Sequence, residues 1–263
     1  MTVGSTAGGA GLIGSYAAVG DSFTEGVGDP ARDGALIGWA DRLAAMLAGQ
    51  RPGHELRYAN LAVRGRLLDQ IIEQQVPRAK EFAPDLVSFC AGGNDILRPG
   101  GDPDSIAVRL EAAVADLVSC AGTVLLFTGF DTRGIPLLRH LRGRIATYTA
   151  HVRSIADRYD CPVVDLWSLR TVQDRRAWHE DRLHLSPVGH AHVALRAAHV
   201  LGLDVPAVAD PLRRSGTRPQ PRAALSDDIH WAREHFLPWV ARHLRGESSG
   251  DQVEPKRPDL LPL

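Results

Sequence analysis

Tyr16-Ala17-Ala18-Val19-Gly20-Asp21-Ser22-Phe23 is the stretch that decides the fold. An apolar run halted at Gly-Asp-Ser is the pattern of a buried strand ending in a tight turn. Onward from it, Trp39 to Leu47 repeats apolar residues at helical spacing, and Leu56 to Val63 reads as the next strand. Leu67, Leu68, Ile71, Ile72 and Val76 mark a second amphipathic helix. Leu86 to Cys90 is a third strand, running into Ala91-Gly92-Gly93-Asn94-Asp95. Asp104 to Cys120 carries a helical stripe at Ile106, Leu110, Val114 and Leu117, and Thr123 to Thr128 follows as a strand. Ile145 to Tyr159 is helical, Pro162 to Leu166 is a strand with proline at its tolerated first position, and His190 to Leu201 closes the series as a helix. Such alternation needs crossover connections. It predicts an α/β domain with a five-stranded parallel sheet, helices on both faces and ligands beyond the carboxyl ends of the strands. The turns after Val19, Val63 and Cys90 then converge on one crevice.

At 263 residues the chain is long enough for one large α/β domain with attachments or for two small domains. Composition is ordinary for a globular chain, at 44% hydrophobic and 23% charged. Thirty Lys+Arg against 31 Asp+Glu leave a formal charge of -1, so no whole-molecule field draws nucleic acid or an anionic membrane. No window approaches the roughly 18 apolar residues of a spanning helix. Met1 to Gly14 lacks a basic start and an apolar centre, so no secretion signal is expected, and it reads as a flexible arm. Cys90, Cys120 and Cys161 are too few and scattered for a disulfide framework or zinc knuckle; they read as small buried hydrophobes in a reducing cytoplasm. The main domain is expected to span 15–206. A proline-rich linker follows over 207–225, then a helix over 226–245 capped by Ser226, kinked at Pro238 and docked on the domain, and a disordered polar tail over 246–263.

Chemistry concentrates at the strand ends. Ser22 projects from one, and a serine hydroxyl becomes a useful nucleophile only beside a base, normally an imidazole held by a carboxylate. Asp181-Arg182-Leu183-His184 supplies both, three residues apart, so that one turn presents carboxylate and imidazole on the same side. Pro187 and Gly189 fix that turn before the last helix. Donors for a developing oxyanion come from the Gly65 backbone after Asn60-Leu61-Ala62-Val63-Arg64, from the Asn94 side-chain amide, and from the Ser22 backbone N–H. Asp21, Asn60 and Asp95 read as supporting residues that shape these turns.

These four segments, in this order, resemble the SGNH (or GDSL) hydrolases over roughly Tyr16 to Leu201, with Ser22, Gly65, Asn94 and His184 as the signature letters. The resemblance implies a flavodoxin-like three-layer α/β/α sandwich. It further implies Ser22 as nucleophile, His184 as base, Asp181 as its orienting partner, and Ser22, Gly65 and Asn94 as oxyanion hole. The implied activity is hydrolysis of an ester, thioester or carbohydrate-linked acyl group. Phe23 departs from the leucine usual in the motif but keeps a hydrophobe there. An acyltransferase with the same acyl-enzyme and a non-catalytic binding module of the same fold are the alternatives.

Other motifs fall away. Gly9-Ala10-Gly11-Leu12-Ile13-Gly14 has dinucleotide-fingerprint letters but precedes the first strand instead of following it. His54, His151, His179, His190, His192 and His199 find no completing Cys or carboxylate cluster, so neither metal nor other cofactor is expected. Trp231, His235 and Trp239 read as packing residues, and Arg233, Arg242 and Arg245 as a solvated face. The expected partner is a small acyl substrate, held between loops Thr24–Gly38, Ile96–Asp102 and Phe130–Arg139. Val27, Leu36, Ile37, Ile135, Leu137 and Leu138 are their apolar residues.

Overall fold

A computed structural model of the chain describes residues 13–50, 53, 55–135, 138–206 and 250–263. Strands β1 (Ser15–Gly20), β2 (Arg57–Asn60), β3 (Leu86–Cys90), β4 (Thr123–Phe127) and β5 (Val163–Val164) pair in parallel, as the alternation predicts. Between and after them lie α1 (Ser22–Glu25), α2 (Trp39–Gly49), α3 (Leu68–Gln74), α4 (Val76–Phe82), α5 (Gly93–Leu97), α6 (Pro103–Val118), α7 (Arg142–Arg158) and α8 (Pro187–Val200). Among the described residues no helix is long and apolar enough to cross a membrane.

The sheet has a sixth strand, β6 (Arg257–Pro262), and runs in the order β5-β4-β3-β1-β2-β6. β6 lies antiparallel to β2, pairing Tyr58 with Leu261 and Asn60 with Arg257. This corrects two expectations, the purely parallel five-stranded sheet and, over 250–263, the disordered tail, whose first residues 246–249 lie outside the described residues. An edge strand needs little hydrophobicity, because its bonds are backbone bonds. It also tolerates Pro258 and Pro262, whose missing N–H groups interrupt no inner ladder. The linker and helix expected over 207–245 lie outside the described residues, as does most of the amino-terminal arm. Of that arm, Ile13 packs on the core and the Gly14 N–H donates to Asp85 Oδ2 at 2.8 Å.

Alternate side chains of β1 go to opposite layers. Ala17 and Val19 join α3, α4, α6 and α7 in one buried cluster, while Tyr16 and Ala18 join α2 and α8 in the other. Both faces are therefore covered, which is why the strand reads as an unbroken apolar run. The single helix expected through Leu67–Val76 is two. Pro77 cannot donate to a preceding turn, so α3 ends and α4 begins at Gln75. The buried Gln75 side chain takes up the peptide polarity at the end of β1: its Oε1 accepts the Gly20 N–H and its Nε2 donates to the Gly20 carbonyl, both at 2.9 Å. Of the cysteines, Cys161 is buried while Cys90 and Cys120 are half-buried, and all three are free.

Candidate active site

Gly20 is tied to its neighbours by contact rather than by an unusual turn. A Cβ there would stand 2.5 Å from Thr24 Oγ1 and 2.6 Å from the Cys90 carbonyl oxygen. The chain then turns straight into α1, capped by Asp21, whose Oδ1 accepts the Phe23 N–H at 3.1 Å. The half-buried Ser22 sits at the first position of that short helix. Phe23 faces the core layer and meets Trp39, Phe127, Phe130 and His190 at centroid distances of 5.6, 6.1, 5.5 and 6.3 Å. A ring thus fills the place where the resembling motif carries leucine.

Asp181 and His184 meet as the three-residue spacing predicts. His184 Nδ1 is 2.7 Å from Asp181 Oδ2, and Asp181 Oδ1 accepts the backbone N–H groups of Leu183 and His184 at 3.0 Å each. Burial opposes ionisation of this carboxyl. The His184 hydrogen bond and charge, with the two backbone donors, outweigh it and hold Asp181 well below the usual carboxylate range. Between the pair, Arg182 adopts the left-handed conformation, φ 55°. The loop closes against the body through the Ser186 N–H, which donates to the Ala177 carbonyl at 2.8 Å just before α8.

Ser22, Asn94 and His184 line one cavity of about 170 Å³, together with Asp21 and Phe23. Besides Gly93 and Thr132, its other walls are apolar: Ile96, Leu97, Phe130, Ile135, Leu138, Ile145, Trp178 and Leu183. Two of the three expected loops, those of Ile96 and Phe130, do form walls. Thr24–Gly38 does not, and Val27, Leu36 and Ile37 are not lining residues; Leu137 lies outside the described residues. Ile145 on α7 and Trp178 and Leu183 before α8 take that place. Ile145 sits on a helix that the sequence pattern reads as packing, whereas Trp178 and Leu183 lie in irregular chain.

Gly65, Asn60 and Asp95 stand around this cavity rather than in it, whereas Asn94 and Asp21 are part of its wall. Asn94 Nδ2 donates to Asp21 Oδ2 at 3.1 Å and to the Arg66 carbonyl at 3.0 Å, so the amide is fixed in orientation between the serine turn and the loop after β2. Gly65 lies in that loop with φ 71°, a conformation that favours glycine. Asn60 is fully buried: its Nδ2 donates to the Thr24 carbonyl at 3.0 Å and its Oδ1 accepts the Ala62 N–H at 3.1 Å. Asp95 accepts the Leu68 N–H at 2.9 Å. Burial pushes both buried carboxyls up, Asp21 to about 6 and Asp95 in the same direction.

Three further contributors carry no sequence signal. Glu25, three residues after Ser22 and 3% exposed, accepts the Arg64 N–H at 2.7 Å and the Arg64 guanidinium through both oxygens. Gln75 holds the Gly20 peptide. His190 is fully buried, accepts the Trp39 N–H on Nδ1 at 3.2 Å and therefore carries its proton on Nε2, toward the Val27 carbonyl at 3.2 Å. Burial pushes this imidazole down to about 4, so it is a neutral clamp between α8 and the segment after Ser22.

Comparison with known proteins agrees with this architecture. The profile of the GDSL-like Lipase/Acylhydrolase family matches residues 18–192. The uncharacterized protein YpmR of Bacillus subtilis (strain 168) is 37% identical over 86 residues, 31% of this chain and 32% of that protein, so the match spans about a third of the relative's length. Among solved structures, the acetylxylan esterase Axe2 from Geobacillus stearothermophilus aligns with a TM-score of 0.61 at 21% identity, covering 74% of this chain and 99% of that chain. LAE5, an alpha/beta hydrolase enzyme from the metagenome of Lake Arreo, Spain, also aligns at 0.61 and 21% identity, covering 73% of this chain and 97% of its own. At these identities the structural likeness concerns the fold, whereas the family profile spans more than half of the chain. The chain belongs to the GDSL-like lipase/acylhydrolase family.

Proposed function

We propose that the protein hydrolyses a small acyl ester through an acyl-enzyme formed on Ser22, with His184 as the base and Asp181 as its orienting partner. The observation that carries this reading is the shared cavity: Ser22 and His184 line it together, and Asp181 stands behind the imidazole at 2.7 Å. Because Nδ1 faces Asp181, Nε2 is the nitrogen left to receive a proton. The Ser22 oxygen attacks the acyl carbon as its proton passes to His184 Nε2, and the carbonyl oxygen becomes an oxyanion. The Ser22 and Gly65 backbone N–H groups donate to it, joined by a shared hydrogen of the already oriented Asn94 amide. On collapse the bond to the leaving alcohol breaks, and that oxygen takes the proton from His184. Water then gives a proton to the same nitrogen as it attacks the acyl carbon, and on collapse the bond to the Ser22 oxygen breaks while His184 returns the proton to that oxygen, releasing the acid and the free serine.

The apolar lining favours an acyl chain of a few carbons, held against Ile135, Leu138 and Ile145. In the Geobacillus esterase, variants described as catalytic mutants replace a serine, an aspartate and a histidine, the same three residue types. Hydrolysis of p-nitrophenyl acetate and butyrate by wild type, Ser22→Ala and His184→Ala tests the proposal. Turnover is expected in wild type and at background in both variants. Undiminished turnover by folded Ser22→Ala would overturn it.

A further inference from the structure

The carboxyl-terminal stretch from Gly250 onward lies outside the family match, yet it contacts the loop proposed to carry an oxyanion donor. Gly250 packs so closely on this loop that a Cβ would stand 2.0 Å from the Arg64 carbonyl oxygen and 3.0 Å from Val63 Cγ1. Asp251 Oδ1 is 3.8 Å from the Arg66 guanidinium. Gly65 is thus flanked on each side by a residue that the carboxyl-terminal stretch touches. Five residues on, Lys256 enters between the two segments that follow the serine turn. Its Nζ donates to the Glu25 carbonyl at 2.6 Å, the Leu36 carbonyl at 2.9 Å and Asp41 Oδ2 at 2.6 Å.

Three ammonium protons meet three oxygens, so the group's donor capacity is filled at one place. Its side chain is only 20% exposed. Two of the three acceptors are main-chain oxygens, which makes the contact a constraint on backbone position. Glu25 is the pivotal acceptor. It ends the helix that Ser22 begins, and its carboxylate holds both the backbone N–H and the guanidinium of Arg64, the residue before Gly65. A continuous set of polar contacts therefore runs from Lys256 through Glu25 to Arg64, and from Asp251 to Arg66, whose carbonyl orients Asn94.

We propose that Lys256 is a positioning residue for catalysis, fixing the nucleophile helix and the Gly65 loop relative to each other through Glu25 and Arg64. The proposal rests on the reading of Gly65 and Asn94 as oxyanion donors. Donor placement within a fraction of an ångström matters because an oxyanion hole works by being organised before the charge appears. Displacement by about 1 Å costs on the order of a hundredfold. Lys256 touches no reacting atom, so its loss acts on turnover and leaves the acyl-binding walls unchanged.

The test uses the full chain with Lys256→Met, which keeps the aliphatic stem and removes all three donors, and Lys256→Arg, which keeps a cation whose planar head does not reproduce three convergent bonds. Rates are normalised to titrated active sites and measured well below each variant's melting temperature. For p-nitrophenyl acetate, Lys256→Met is expected to lower kcat about 10-fold to 100-fold with KM within about twofold, and Lys256→Arg to fall between it and wild type. A purely structural role would lower the melting temperature while leaving kcat per titrated site unchanged, and that result in either folded variant overturns the proposal. Asn94→Ala is the parallel control. Its losing turnover while the Lys256 variants do not would reject the positioning role alone, whereas full activity in Asn94→Ala would remove the oxyanion reading and this proposal with it.

Discussion

Replacing Asp181 by asparagine changes one atom position and should cost the protein most of its turnover. In the native arrangement His184 Nδ1 lies 2.7 Å from Asp181 Oδ2, while Asp181 Oδ1 accepts two backbone N–H bonds at 3.0 Å. An asparagine is expected to keep its carbonyl oxygen on those two donors, which puts its NH₂ where Oδ2 stood. The NH₂ then donates to Nδ1, and the ring proton moves to Nε2. The nitrogen facing the cavity is now a donor and cannot take the Ser22 proton. For a serine–histidine pair with the wrong tautomer the loss is on the order of 10³-fold to 10⁴-fold, or about 4 to 5.5 kcal/mol of transition-state stabilisation. The backbone bonds of the turn survive, so the melting temperature should change little. Measuring kcat/KM on p-nitrophenyl butyrate, with near-ultraviolet circular dichroism as a folding control, checks this. A folded Asp181→Asn enzyme within threefold of wild type would show that the carboxylate does not set the tautomer.

Asn94→Ala should lower kcat by about a hundredfold while the protein stays folded; an unchanged kcat would reassign Asn94 to tying the loops together. Lengthening the acyl group from acetyl to butyryl should raise kcat/KM about fourfold per methylene, at roughly 0.8 kcal/mol for each buried group, until the cavity of about 170 Å³ is filled. A flat chain-length profile would contradict the assignment of Ile135, Leu138 and Ile145 as acyl contacts. His190 makes stability depend on pH. Its folded value of about 4 lies below the ordinary 6.5, so the unfolded chain gains a proton first, and stability falls from pH 6.5 down to about 4. About 2.5 pH units correspond to roughly 3 kcal/mol. Asp21, raised to about 6, works in the opposite direction between pH 6 and its ordinary value, so the His190 contribution is read as a difference. In urea unfolding, the stability gap between wild type and His190→Gln should shrink by about that amount over this range, and a gap independent of pH would show that His190 is not buried neutral.

The sheet was legible where physics is local. Tyr16–Val19 is buried on both faces and reads as an unbroken apolar run, Leu86–Phe89 is likewise buried with Ser88 its one polar residue, and Asp181 and His184 face each other because a single turn separates them. Ser22 and Asn94 were legible as residues at strand ends, which a parallel sheet gathers at one edge. What stayed hidden depends on distant pairing. Arg64 and Glu25 are 39 residues apart, Gln75 and Gly20 are 55 apart, and Lys256 and Glu25 are 231 apart. A charged or amide residue reads as solvated surface until its partner is known. β6 escaped for a related reason, since an edge strand held by main-chain bonds can be written in polar residues and proline. The cavity walls were half legible, because Ile135 and Leu138 follow a strand end, whereas Ile145 sits on the core stripe of a helix and Trp178 and Leu183 in irregular chain.

The account stands on Ser22 acting as a nucleophile toward an acyl-like centre under His184. Incubation with a fluorophosphonate, followed by intact-mass and peptide analysis, tests it directly. One adduct per chain on the Ser22 peptide, absent from Ser22→Ala and strongly slowed in His184→Ala, is the predicted result. An adduct that persists in Ser22→Ala, or a folded wild-type chain that takes up no label, would contradict it.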